Sequence, residues 1–128
     1  MADFPESLRY QSTHEWVRVE GDKAYVGISD HAQGELGDVV SIYLPKAGGS
    51  LKKGDKLAEI DSMKTSEVIY APVSGRIEEV NEELDDVPEA INEDPYGKGW
   101  IVLILLEDKG EIESLLTASA YRDQLEEE

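Results

Sequence analysis

Lys64 lies at the tip of what reads as a hairpin. It sits within Glu59-Ile60-Asp61-Ser62-Met63-Lys64-Thr65-Ser66-Glu67-Val68-Ile69-Tyr70-Ala71-Pro72-Val73-Ser74-Gly75, between strand-like runs at 57–60 and 68–70. Two-residue hairpin turns normally draw on Asn-Gly, Asp-Gly or Gly-X, which supply positive φ. Here the centre is Met63-Lys64, with no glycine between Gly54 and Gly75. The turn gives up the best turn chemistry for the side chain it displays. That side chain offers acylation. Flanking strands fix its Cα, and a flexible stem ends in an amine that can take an acyl group, which suits the anchor of a swinging prosthetic group. An ordinary solvated turn lysine has the same spacing, so the remainder of the chain must decide.

Other chemistries find little support. The chain has no cysteine, so it holds no disulfide and no protein thiol. Any sulfur chemistry must come from a cofactor. Its two histidines, His14 and His31, fall in separate motifs and give no nucleophile, base and orienter set. No glycine-rich phosphate loop or metal-ligand cluster is visible. A carrier or binding module fits better than a free-standing enzyme.

The elements that must position the lysine are short strands. Period-two alternation recurs at 16–19, 24–28, 39–44, 57–60 and 77–80, and the apolar run 100–106 fits a buried strand. Between them stand Glu20-Gly21-Asp22, Pro45-Lys46-Ala47-Gly48-Gly49, Lys53-Gly54-Asp55 and Pro72-Val73-Ser74-Gly75. Short strands divided by Gly and Pro turns predict an antiparallel sandwich or barrel. Ser29-Asp30-His31-Ala32-Gln33-Gly34 predicts one capped helical turn near 29–35, stopped by its glycine. The tail predicts a helix over about 110–127, with Ile112, Leu115 and Leu116 at helical spacing and Tyr121 and Leu125 four apart. Glu126-Glu127-Glu128 meets the negative end of that helix, so its last turn should fray. A loose echo links Gly37-Asp38-Val39-Val40 and Gly54-Asp55 with Gly75-Arg76-Ile77 and Gly99-Trp100-Ile101. Two such halves meeting at the hairpin would give a quasi-symmetric flattened barrel with Lys64 at one end.

A chain of 128 residues is read as one domain, 1–128, with its core at about 10–107. No apolar stretch approaches the roughly 18 residues that span a membrane. The net charge of −17 repels phosphate backbones and anionic lipid, which argues against nucleic acid and membrane partners. Basic protein partners are the compatible class, steered by a field that salt screens over about 8 Å. Nine acids and no Lys or Arg lie between Glu78 and Asp94, a docking face for such a partner or a solvated one. Met1-Ala2-Asp3-Phe4-Pro5-Glu6 has neither a basic start nor an apolar stretch. A monomer in the cytoplasm is expected.

These residues resemble the biotinyl/lipoyl attachment domains, in which two related halves present a modified lysine on a hairpin. Within that group, nearly the whole chain is similar to the H protein of the glycine cleavage system. The resemblance is carried by His14-Glu15-Trp16-Val17, Gly27-Ile28-Ser29-Asp30-His31-Ala32-Gln33 and Leu36-Gly37-Asp38-Val39-Val40. Ala71-Pro72-Val73-Ser74-Gly75, Glu79-Val80-Asn81 and Ile91-Asn92-Glu93-Asp94-Pro95-Tyr96-Gly97-Lys98-Gly99-Trp100 continue it, in family order and spacing. Two departures stand out. Ser62-Met63-Lys64-Thr65 replaces the usual Ser-Val-Lys-Ala, and its methionine is also a feature of biotin carriers. The acid often found four residues after the lysine is Val68 here, with Glu67 one place earlier.

The resemblance implies a mainly β, flattened antiparallel barrel-sandwich hybrid and a non-catalytic carrier. It makes Lys64 the covalent attachment point of lipoate, with a biotinyl carrier, or a lipoyl relay outside glycine cleavage, as alternatives. The implied partners are glycine decarboxylase (P protein), the tetrahydrofolate-dependent aminomethyltransferase (T protein), dihydrolipoyl dehydrogenase (L protein) and a lipoylating enzyme. A water-sensitive, cationic cargo on the arm would need a cleft that excludes water and offers a carboxylate. The resemblance places part of that cleft on the His-Glu-Trp segment, so Thr13 and Glu15 are candidates, with His31 lining or supporting it and Glu67 as a candidate acid. The bland readings are a solvated edge charge for Glu15 and a helix-start residue for His31. Asn92-Glu93-Asp94-Pro95-Tyr96-Gly97 reads as a rigid turn or a docking patch.

Overall fold

The computed structural model describes residues 4–127; residues 1–3 of the N-terminal stretch and Glu128 of the acidic tail lie outside that range. The strands begin with β1 (Arg9–Tyr10), β2 (Glu15–Glu20), β3 (Lys23–Ile28), β4 (Val39–Tyr43) and β5 (Ser50–Leu51), of which β1 and β5, two residues each, lie outside the alternating runs. They continue as β6 (Lys56–Ser62), β7 (Ser66–Tyr70), β8 (Gly75–Val80) and β9 (Val102–Leu106). Short helices intervene: α1 (Asp30–Leu36), α2 (Glu83–Asp86), α3 (Ala90–Glu93), α4 (Gly110–Glu113) and α5 (Ala118–Glu127). Every strand pair is antiparallel. A six-stranded sheet runs β1-β2-β3-β9-β8-β5, and a three-stranded sheet runs β4-β6-β7.

The two sheets bury one apolar core between them. Val26, Ile60, Ile101, Val102 and Ile104 are fully buried, and Leu84 and Ile91 close it from the α2–α3 side. This is the expected barrel-sandwich arrangement, though the sheets stay separate and no closed barrel forms. The echoed segments lead β4 and β8, which belong to different sheets of unequal size.

A second, aromatic cluster sits under the C-terminus. The rings of Tyr10 and Tyr121 stack at 4.6 Å, and Phe4 meets Tyr121 edge-on at 5.4 Å. Trp16 is fully buried and its indole donates to the Pro95 carbonyl at 2.9 Å. Gly27 lies against that ring, where a Cβ would stand 2.7 Å from the indole. No larger residue fits.

Three boundaries differ from the expectations. Helix α1 runs through Gly34, which is exposed, and stops at Gly37 in the left-handed region at φ 75°. Ser29 caps its start by accepting from the Ala32 N–H at 3.1 Å. The run at 100–106 is strand only from Val102, although the Ile101 N–H already donates to the Val26 carbonyl at 2.8 Å, and the half-buried Trp100 ring meets Tyr25 edge-on. The single helix at 110–127 is broken into α4 and α5. The break comes from Leu116, whose N–H and carbonyl both pair with Tyr10 at 2.8 Å, and backbone bonded to a strand cannot continue a helix.

Candidate functional site

β6 and β7 form the expected hairpin, extended beyond the apolar runs to Ser62 on one side and Ser66 on the other. The connection is Met63-Lys64-Thr65, and none of the three has positive φ. Ser62 supplies what a glycine turn would have supplied. Its hydroxyl accepts from the Lys64 and Thr65 N–H groups at 3.1 Å each and donates to the Thr65 carbonyl at 3.0 Å. The side chain stands in for the backbone acceptor of a tight turn. Ser62→Ala should therefore lower stability by about 1 kcal/mol, with the loss centred on the tip. Faster amide exchange at Lys64 and Thr65 than along β6 would show it, and unchanged exchange there would contradict it.

The lysine tip rests on the end of α1. The Met63 N–H donates to the Asp38 carbonyl at 2.9 Å, and Lys64 Nζ donates to the Glu35 carbonyl at 3.1 Å. The stem crosses Gly37, where a Cβ would stand 3.0 Å from Lys64 Cδ. Glycine at this point meets two demands at once, a positive φ and a passing side chain. Just below the tip, Asp61 accepts from Ser66 and from Tyr43, and these bonds hold its carboxyl below the ordinary value.

Beside the tip opens a cleft of about 390 Å³. Ile28, Ala32, Leu36 and Ile69 give it an apolar lining, and Thr13, His14, His31, Glu35, Thr65 and Glu67 give it a polar one. Glu67 pairs in register with the buried Ile60, so it points to the inner side of its sheet at the open end. Val68 borders the same cleft. His31 stands on the first turn of α1, 3.4 Å from the Glu35 carboxylate, and its ring lies 5.1 Å from that of His14. Thr13, His31 and Glu67 are thus brought together around one opening.

His14 is a lining residue that sequence reasoning did not single out. Among the described residues it is the non-glycine residue with positive φ, at 83°. Its N–H donates to the Gln11 carbonyl and its own carbonyl accepts from the Ser29 N–H, which fixes the turn. Nδ1 meets the Tyr121 hydroxyl at 2.7 Å, and that hydroxyl meets Ser29 Oγ at 2.7 Å. The C-terminal helix thereby braces the cleft wall from behind. No local sequence signal marks this, since the bracing residue comes 107 positions later.

Glu15 occupies a different place. Its side chain is fully buried on β2, behind the lining residues of the cleft. One oxygen accepts from the Thr13 hydroxyl and from Gln11 Nε2, and the other accepts from the Tyr70 N–H at 2.9 Å. Gln11 Nε2 also lies 3.2 Å from the Tyr70 carbonyl. The carboxylate thus ties the six-stranded sheet to the end of the hairpin strand. Burial raises its pKa above the ordinary value, against the hydrogen bonds from Thr13, Tyr70 and Gln11, which lower it.

The segment at 92–97 closes α3 with Asn92 and Glu93 and then turns after Asp94. The Gly97 and Gly99 N–H groups both donate to the Asp94 carbonyl, Tyr96 Oη accepts from the Asp30 N–H, and the Tyr96 carbonyl accepts from Arg18. Most acids between Glu78 and Asp94 are exposed. Among the described residues no group of three or more His, Asp or Glu could hold a metal, and no helix is long and apolar enough to cross a membrane.

An acylatable lysine on a braced hairpin, beside a part-apolar cleft, has a counterpart in known proteins. The family model for the glycine cleavage H-protein matches residues 8–128. The chain belongs to the glycine cleavage H-protein family. A glycine cleavage system H protein from Alteromonas mediterranea is 49% identical over 129 residues, covering 100% of both chains. One from Halalkalibacterium halodurans is 45% identical over 128 residues, again covering 100% of each. The crystal structure of a glycine cleavage system H protein from Mycobacterium marinum superposes with a TM-score of 0.87 at 37% identity, over 95% of this chain and 98% of that one. The H-protein family consists of carrier subunits of a multienzyme system, so this chain is a carrier and not an enzyme. Its departure at Met63 falls on a side chain 75% exposed, where packing places no demand on residue type.

Proposed function

We propose that this H protein carries lipoate on Lys64 and moves the aminomethyl group from glycine decarboxylase to the tetrahydrofolate-dependent aminomethyltransferase. The observation that carries the reading is the placement of Lys64. An exposed amine on a braced tip, at the lip of a cleft, is open to a modifying enzyme and close to a shelter. The residues present fit the group. An aliphatic arm ending in a small sulfur-containing ring suits the apolar lining of Ile28, Ala32, Leu36 and Ile69. When attached, lipoate supplies a disulfide that accepts the one-carbon unit and reducing electrons together, which this cysteine-free chain cannot do itself.

The chain's own residues bind, orient and exclude water. The hairpin fixes the root of the arm, and tethering raises the local concentration of cargo at each partner site. Glu67 and Glu35 line the cleft with carboxylates that would attract a cationic amine, and Thr13, His14 and His31 offer hydrogen-bonding groups beside them. Glu15 holds the wall in place from behind through Thr13 and Tyr70. The acidic surface favours basic docking faces on the decarboxylase, the aminomethyltransferase, dihydrolipoyl dehydrogenase and the lipoylating enzyme, with association that weakens as salt rises. The cytoplasm is the compartment this reading favours.

Reconstitution tests the pathway. Lipoylated chain mixed with glycine decarboxylase should support glycine-dependent exchange of labelled bicarbonate, and addition of the aminomethyltransferase with tetrahydrofolate should give methylene-tetrahydrofolate. A lipoylated chain that supports neither would be a relay outside glycine cleavage.

A further inference from the structure

We infer that Asn92, on α3, is a positioning residue for the lysine hairpin, acting through the link at 37–39 that joins α1 to β4. Its carboxamide is used on both sides. Oδ1 accepts from the Val39 N–H at 2.8 Å, while Nδ2 donates to the Gly37 carbonyl at 2.9 Å and to Gln33 Oε1 at 3.1 Å. Only an amide supplies an acceptor and two donors from one short side chain. The two backbone bonds bracket Asp38, and Asp38 is the residue whose carbonyl receives the Met63 N–H. Glu35 and Gly37, on either side of Leu36, take the Lys64 amine and stem. The hairpin tip therefore rests on a short stretch that a third element pins from below.

The stretch is also held at its two ends, where the Gly37 N–H closes α1 on the Gln33 carbonyl at 3.1 Å and the buried Val39 pairs with Ser62 of β6. Gly37 is a positive-φ glycine and Asp38 is exposed. Asn92 itself is anchored, because the adjacent Ile91 is fully buried and its backbone lies so close to Gly99 that a Cβ there would stand 3.0 Å from the Ile91 Cα. It sits 53 residues from Val39 and makes none of its hydrogen bonds to the hairpin. Its effect on Lys64 passes through Asp38. The inference rests on Lys64 being the attachment point. Loss of the pin would leave the hairpin in its acceptor orientation for only a fraction of the time. A modifying enzyme would then see a KM raised by the inverse of that fraction, with kcat unchanged.

The test compares full-length Asn92→Ala with wild type and with Asn81→Ala. Asn81 is a matched control, since its buried carboxamide donates to the Lys98 and Trp100 carbonyls, away from the link. Both variants lose stability, but they should diverge at the tip. In Asn92→Ala the Met63 and Val39 amides should exchange roughly tenfold faster than in Asn81→Ala, compared at equal global stability. With lipoate, ATP and a lipoyl–protein ligase, its KM should rise about tenfold with kcat held. Equal Met63 protection and equal KM in the two variants would overturn the inference. Asn92→Asp, which keeps the acceptor for Val39 but loses the donor to Gly37, should restore protection at Val39 and not at Met63. Protection is measured without any modification. A wild type that takes no lipoyl group would overturn the carrier reading, and the exchange data would still decide whether Asn92 holds the hairpin.

Discussion

Lys64→Arg is expected to fold like the wild type and to lose carrier activity entirely. Lys64 is exposed, and the hydrogen bond its amine makes is to one carbonyl at the end of α1. Arginine can reach the same carbonyl and keeps the charge, so the change in stability should stay within about 0.5 kcal/mol. Its guanidinium remains protonated at any usable pH and offers no amine to acylate. Glycine-dependent bicarbonate exchange should fall to background while the melting temperature barely moves. Retained exchange would overturn the assignment of Lys64, and a collapse of stability would show that the lysine is a structural residue.

The second large effect is expected at Glu15. Glu15→Ala removes the acceptor of the Tyr70 N–H within the joint between the two sheets. Thr13 is exposed and can turn to water, but the Tyr70 amide is fixed in a strand. Stranding that donor and opening a void should cost roughly 2–3 kcal/mol, a fall of about 10 °C in melting temperature for a domain of this size. Glu15→Gln keeps an oxygen for Tyr70 and should cost much less than Glu15→Ala, and least of all at high pH. The pH dependence of the difference follows from the raised pKa. Between its ordinary value of 4.5 and the raised folded value, the native wild type holds the Glu15 proton more tightly than the unfolded chain does. That contribution is fully present below 4.5 and is lost as pH rises through the folded value. The stability of wild type relative to Glu15→Gln should therefore decline with rising pH across that window and then level off. Denaturant melts of the two proteins at several pH values measure it directly. A difference that grows with pH would mean that the hydrogen bonds outweigh burial.

Features encoded within about ten residues were legible in the sequence. The longer strands followed from alternation and from the apolar run at 100–106, the Ser29 cap from its place before Asp30, and the hairpin from two short runs around a polar tip, whereas the two-residue strands β1 and β5 carried no such pattern. The H-protein family was legible because its pieces occur in order along the chain. What could not be read was set by distant partners. Glu15 looks like an edge charge until Tyr70, 55 positions later, supplies the amide that keeps it buried. The C-terminal periodicity continues through 114–117, and only the pairing of Leu116 with Tyr10, 106 positions earlier, interrupts it. Gly34 and Gly37 are equally good stop signals on paper. Leu36 is buried and has to be carried into the core by one more turn, which selects Gly37. Beyond its membership of the His-Glu-Trp segment His14 gave no signal of its own, since its left-handed backbone and its bond to Tyr121 both depend on the assembled fold.

Intact mass with peptide mapping, on protein from cells supplied with lipoic acid, tests the central claim most directly. The expected result is a lipoyl increment on the peptide containing Lys64, absent from Lys64→Arg. A biotinyl increment there, or no increment even after incubation with a lipoyl–protein ligase, would contradict it.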